Sequence, residues 1–323
     1  MLTDKRAAYR PFKYEKAFEF FQLQQQSHWL PTEVKMSGDI KDYNETLTEA
    51  EKSVIIKILR LFTNLELDAE DYWTQVSKWF GGHPEIAQMA ASNAAMEAIH
   101  IWGYDYLTQS LNLPLSEYEA FLKDPAMLAK KKKLGEILGK VDTIEDKALS
   151  LAVFSAFTEG VSLFSSFAVL LSFSKANKLK GVANVVAWSI RDESLHSEAG
   201  CWLFRTLIEE QPHIMTEEFR GKVVEAAREA VGLEDDYIDS VFSEGEIETI
   251  SSSDLKQYIR YRANTKLGDL GIKKNWKNID IEAVKRITSW FDVLAAGNEH
   301  ADFFAVKSTS YSKGNVNWEE IKF

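Results

Sequence analysis

A single cysteine, a scarcity of helix breakers and a shortage of positive charge set the first limits on this chain. Cys201, alone, excludes an intrachain disulfide and a thiolate metal cluster, and it fits a reducing, cytoplasmic setting. Six prolines and 16 glycines in 323 residues leave few interruptions, so long helices are expected. The formal net charge of −11 argues against nucleic acid as a partner, because a phosphate-binding surface needs an excess of Lys and Arg. The one basic run, 130–133, reads as a solvated helix face. The first 14 residues are polar and lack the apolar core of a signal peptide.

Long apolar runs are also scarce, with one exception. Residues 151–173 (LAVFSAFTEGVSLFSSFAVLLSF) carry a single charge, Glu159, and are long enough to span a bilayer. A membrane reading places that carboxylate in hydrocarbon at substantial cost. A helix apolar on every side is equally the central helix of a large core, so no membrane association is expected. A lone carboxylate there needs a reason, and a metal ion supplies one.

What the chain does have is helical periodicity. Helices are expected over 14–27, 48–80, 85–111, 143–174, 181–210, 216–231, 254–267 and 281–294, with shorter ones between 115 and 139 and an irregular stretch from 28 to 46. Thr48-Glu49-Ala50-Glu51 is a capping-box signature at the start of the second. No strand and no Gly/Ser/Pro-rich linker stands out, so the reading is one all-α domain.

Two of these helices carry matching motifs, Glu97-Ala98-Ile99-His100 and Glu193-Ser194-Leu195-His196. Residues i and i+3 share a helix face, so each motif offers a carboxylate and an imidazole together. Two such helices, with one Glu from each of two others, form the inward ligand set of ferritin-like dimetal bundles. A third match, Glu210-Gln211-Pro212-His213, holds a proline and reads as coincidence at a helix end. One Glu-x-x-His alone would be a core hydrogen bond or surface decoration. Two of them together with Glu159 imply several buried carboxylates, which are costly unless paired or bound to metal. The sixth ligand should come from the helix over 48–80, which offers Glu66, Asp68 and Glu70; helical phase favours Glu66 only modestly. Carboxylates and imidazoles suit iron and manganese. Tyr104, four residues after His100, falls on the same face, and Leu163 and Phe167 can wall an apolar pocket around Glu159.

The segment Trp29-x-Pro31-x-Glu33-Val34, Glu97-x-x-His100-x-x-x-Tyr104, Glu159 and Arg191-Asp192-Glu193-x-x-His196 together resemble the small, radical-generating beta subunit of class I ribonucleotide reductase, over nearly the whole chain. The intervals of 31 residues from Glu66 to Glu97 and 34 from Glu159 to Glu193 agree with that family, and the resemblance selects Glu66 as the sixth ligand. Ser189 departs from it, standing where an apolar pocket residue is common. The resemblance implies a ferritin-like helical bundle with additional helices over 1–306 and a flexible tail, 307–323, that docks on the large (alpha) subunit. It implies two metal ions per chain, iron first, with manganese or a mixed manganese–iron pair as alternatives, and a flavodoxin-like activator if the metal is manganese. It implies a radical stored on Tyr104, a transfer route through His100, Asp192 and Trp29 to Tyr311, and a homodimer. A ferritin-like iron store, or an oxidase of the same superfamily acting on a small molecule, shares the bundle but needs neither Trp29, Asp192 nor a docking tail.

Overall fold

The computed structural model describes residues 1–139 and 141–296. Within them the helices are α1 (Glu15–Gln26), α2 (Ser37–Glu45), α3 (Glu49–Phe80), α4 (Pro84–Ser110), α5 (Glu117–Ala120), α6 (Pro125–Gly139), α7 (Ile144–Val153), α8 (Phe164–Lys175), α9 (Lys180–Glu210), α10 (Glu217–Val241), α11 (Ser252–Asp269) and α12 (Ile281–Ala295). A π-helical segment, Phe154–Ser162, joins α7 to α8 in one rod. No β-strand occurs among the described residues; a single bridge pairs Ile247 with Ile250.

The core is built from α3, α4, the α7–α8 rod and α9, with α1 laid over α4 and α9 and with α10, α11 and α12 closing the far side. Helix α3 starts where the capping box places it: Glu51 N–H donates to Thr48 Oγ1 at 3.2 Å, and Thr48 N–H donates to Glu51 Oε2 at 2.8 Å. Its buried positions Ile55, Ile58, Phe62, Leu65, Glu66, Ala69 and Trp73 recur at steps of three and four, so one stripe faces inward. The rod from Ile144 to Lys175 is long and apolar enough to cross a membrane, but 89% of its most apolar window is buried inside the fold, which makes it a core helix.

Three features differ from the sequence reading. The stretch read as irregular before Thr46 contains α2. Its Asp39 accepts from Gly181 N–H at 3.0 Å and Val182 N–H at 2.8 Å, satisfying the first free amides of α9. A Cβ at Gly181 would lie 2.8 Å from Asp39 Oδ2, so the approach requires glycine. Helix α10 runs ten residues past Val231, through Gly232, because Tyr237, Ile238 and Val241 bury beyond it. That burial outweighs the cost of about 1 kcal/mol for a glycine inside a helix. The third difference is the π segment. Its widened turn is held by donors from outside: Ser197 Oγ to Ser155 O at 2.5 Å, Arg262 Nε to Gly160 O at 3.0 Å, and Lys130 Nζ to Ser162 O at 2.8 Å. Lys130, read as part of a solvated run, is instead buried against Glu234 at 2.5 Å. The tail 307–323, with Tyr311, lies outside the described residues.

Candidate metal centre

Four helical elements each send carboxylates or imidazoles to one point. Helix α3 supplies Glu66, α4 supplies Glu97 and His100, the π segment supplies Glu159, and α9 supplies Glu193 and His196. All six are buried. They form two groups, Glu66–Glu97–His100–Glu193 and Glu97–Glu159–Glu193–His196, whose ligand atoms lie within 4.8 Å of one another. Glu97 and Glu193 belong to both, as expected of carboxylates that bridge two ions. Asp68, the rejected alternative on α3, pairs with Lys131 at 2.7 Å. The third Glu-x-x-His is unrelated: Glu210 ends α9 and accepts from Leu2 N–H and from Tyr14 Oη–H, both at 2.6 Å.

The donor atoms converge and satisfy each other only in part: His100 Nδ1 lies 2.9 Å from Glu97 Oε2 in a hydrogen bond. His196 Nδ1 approaches Glu97 Oε1 at 2.7 Å, and His100 Nδ1 approaches Glu193 Oε1 at 3.0 Å. Yet His196 Nδ1, Glu97 Oε1, both Glu193 oxygens, Glu66 Oε1 and Glu159 Oε2 complete no hydrogen bond. Buried polar atoms rarely stay unpaired, and lone pairs aimed at common points are what a cation satisfies. Charge points the same way. Burial, then the Glu193 and Glu97 charges, push the Glu66 and Glu159 carboxyls well above their ordinary range. Glu193 rises to about 7 by burial and then Glu97. Burial would raise Glu97 too, but His196 and His100 outweigh it and hold it down to about 2. Four carboxylates match the charge of two divalent ions, and an O/N donor set without sulfur suits iron or manganese. The six side chains could therefore hold a dimetal site.

The outer face of each imidazole is also partnered. His100 Nε2 lies 3.3 Å from Asp192 Oδ2, which accepts from Trp29 Nε1–H at 2.7 Å. Burial pushes Asp192 up, but its bonds from His100 and Trp29 outweigh this and keep its pKa below the ordinary value. Trp29 and Asp192 are both buried. Tyr104 is buried beside this group, its ring 4.6 Å from Phe62 and 6.5 Å from His100. Burial lifts its phenol well above the usual range, and its hydroxyl completes no hydrogen bond. Ser189 is buried and its hydroxyl donates to Val185 O at 3.1 Å, while its side chain eases Tyr104 ionisation against the burial that opposes it.

Two residues escaped the sequence reading. Gln24 of α1 donates from Nε2 to Asp192 Oδ1 at 3.1 Å and places Oε1 3.1 Å from His196 Nε2. Trp73 of α3 donates from Nε1 to Glu159 Oε1 at 2.7 Å. Trp73 is seven residues after Glu66, two turns along one face, so helical spacing could have found it. Gln24 shares the buried face of α1 with Ala17 and Phe20, and a polar residue on an apolar stripe is its only signal.

Comparison with known proteins follows this geometry. The family model for the ribonucleotide reductase small chain matches residues 6–282. The chain is similar to a probable ribonucleoside-diphosphate reductase small subunit of Invertebrate iridescent virus 3, 34% identical over 331 residues that cover 98% of this chain and 86% of the relative. It is similar to the ribonucleoside-diphosphate reductase subunit beta of Chlamydia pneumoniae at 27% identity, covering 95% of this chain and 91% of that protein. Among solved structures it is similar to a putative class I ribonucleotide reductase from Bacillus halodurans, with a TM-score of 0.79 at 24% identity over 85% of this chain and 99% of the other. It is also similar to a dimanganese(II) protein of Streptococcus sanguinis, with a TM-score of 0.73 at 20% identity over 89% of this chain and 99% of the other. These structural likenesses establish the ferritin-like helical architecture.

Proposed function

The chain belongs to the ribonucleotide reductase small-chain family, as the small subunit of a ribonucleoside-diphosphate reductase, and from that premise we propose that it holds a metal pair and stores a radical on Tyr104 for the large subunit. One observation carries the reading: two buried four-residue groups share Glu97 and Glu193, and six of their oxygen and nitrogen atoms, with at least one on every residue but His100, complete no hydrogen bond. Glu66, Glu97, His100, Glu159, Glu193 and His196 are the proposed ligands. When bound, a reduced iron pair supplies the oxidising power by reacting with oxygen; a manganese or mixed pair would use oxygen or an oxidant from a flavodoxin-like activator. The chain's own residues do the rest.

Tyr104 gives up one electron and its phenolic proton. Its sealed pocket, walled by Phe62, keeps reductants away from the radical. Asp192 orients His100 through Nε2 and faces the indole N–H of Trp29, so an oxidised Trp29 can pass its proton to Asp192 Oδ2. From Trp29 the hole is assigned to Tyr311 and then to the partner. The segment 307–323 is proposed as the docking tail, ordering as it binds. A homodimer and a cytoplasmic location complete the proposal.

Reconstitution in air with iron, and separately with manganese, tests it. Two ions per chain and a tyrosyl signal in electron paramagnetic resonance are expected with iron. Tyr104→Phe should keep both ions and oxygen uptake and lose the signal and nucleotide reduction, because phenylalanine fills the pocket without a phenolic proton. Full activity in that variant would place the stored oxidising equivalent elsewhere.

A further inference from the structure

The Glu159 end of the site continues into a second line of aromatic side chains that the Trp29 route does not use. Trp73, bonded to Glu159, has its ring 5.8 Å from that of His196. Tyr72 follows at 6.0 Å from Trp73, and Trp79 at 5.8 Å from Tyr72. Trp73 and Tyr72 are buried, whereas Trp79 is half-buried at the surface end of α3. Simple core packing accounts for the rings but not for their polar ends. The Tyr72 hydroxyl is buried and completes no hydrogen bond, and neither does the Ser150 hydroxyl. Ser150 is the neighbour that eases Tyr72 ionisation against the burial that opposes it. Ser150 also lines a surface groove with Asp146, Lys222 and Glu229. Tyr72 therefore has an electron neighbour on each side and, in the buried Ser150 hydroxyl, a proton relay standing between it and the groove.

We infer that Trp73, Tyr72 and Trp79 form a second hole-transfer route, from the Glu159–His196 end of the site to the surface, with Tyr72 as a redox-active stop. It rests on the radical reading of the site. An oxidised Trp73 takes one electron from Tyr72 and is restored. The Tyr72 O–H bond breaks and its proton passes to Ser150 Oγ as Ser150 hands its own proton on towards the groove when α7 opens, leaving a neutral tyrosyl radical. Trp79 then returns one electron to Tyr72, which regains a proton along the same path. A soluble thiol gives one electron to oxidised Trp79 at the surface, loses its S–H proton to solvent and leaves as a thiyl radical. The route drains oxidising equivalents that miss Tyr104.

The test injects a hole from the outside. Lys78 is exposed beside Trp79, and Cys201 is buried, so Lys78→Cys offers one labelling point for a ruthenium photo-oxidant on the full chain. After a flash with no metal added, a tyrosyl absorption is expected, lost in Tyr72→Phe and delayed in Trp79→Phe. Ser150→Ala should slow its formation and reduce the solvent isotope effect. Equal tyrosyl yield in the parent and Tyr72→Phe, with both folded by circular dichroism, would overturn the route. A second arm uses iron-loaded Tyr104→Phe exposed to oxygen. A transient radical that disappears in the double variant with Tyr72→Phe is expected, and no such radical would overturn the claim that the site feeds the line. Failure of the unmodified protein to form a Tyr104 radical would count against the radical reading alone, because the flash result does not depend on it.

Discussion

The two halves of the site are unequally built. Around His100 every inward carboxylate comes from regular α-helix, and the imidazole is backed by an ionised carboxylate, Asp192, with Trp29 of the segment after α1 behind it. Around His196 the backing is a neutral amide, Gln24, and the facing carboxylate, Glu159, sits on a π turn held by Ser197, Arg262 and Lys130. The first half sets an indole N–H against a carboxylate able to take its proton. The second depends on tertiary donors to keep its ligand in place, so its ion should be the easier one to lose.

Removing a ligand from the weaker half should have the largest effect. Glu159→Ala is expected to abolish binding of at least one ion per chain while the protein stays helical, measured by metal analysis and circular dichroism. Two retained ions with unchanged oxygen uptake would make the ligand assignment wrong. Next is the packing beneath the π turn. A Cβ on Gly200 would meet Ser155 Oγ well inside contact distance. Gly200→Ala should lower stability by about 1–3 kcal/mol in denaturant unfolding, as overpacking does. It should also weaken the second ion before the first, and equal weakening of both would erase the contrast.

A smaller change should come from the outer ring. Gln24→Met leaves His196 Nε2 without its partner, at a cost of about 1–3 kcal/mol for a buried unpaired group. Metal titration should show one weakened ion while the Tyr104 radical still forms. Deleting 307–323 should leave both halves alone: metal content and radical yield persist, and only turnover with the large subunit fails. Tyr311→Phe should keep subunit binding and stop turnover. Normal reduction by the truncated chain would remove the tail from the mechanism.

The sequence reveals the inward carboxylates and imidazoles more readily than the elements that hold them. Glu97, His100, Glu193 and His196 announce themselves by helical spacing, and Glu159 by being the one charge in an apolar run. Spacing alone left Glu66 competing with Glu70, and the structure buries Glu66 among the other ligands. The π turn was invisible because its cause lies in distant donors, Ser197, Arg262 and Lys130, and no local pattern encodes them. Helix α2 was missed for a related reason: its Asp39 is buried at the start of α9, far along the chain. Helix α10 was cut at Gly232 because a local penalty was visible and the compensating burial of Tyr237 and Ile238 was not.

The amide of Gln24 fixes more than a ring orientation. An indole N–H can only donate and the ionised Asp192 can only accept, so Gln24 must turn its NH2 to Asp192 and its carbonyl to His196. His196 must then carry hydrogen on Nε2, and Asp192 imposes the same on His100. In both rings Nδ1 is the nitrogen left to face the carboxylates. Against the opposing effect of burial, Glu97 draws both imidazoles above their ordinary pKa, so any extra proton each ring holds sits on Nδ1. An arriving cation would thus displace protons from the inner nitrogens and from the carboxyls that burial holds protonated, while the outer nitrogens keep theirs. Loading the site would then release protons without breaking the hydrogen bonds that run from Trp29 through Asp192 and Gln24 to His196.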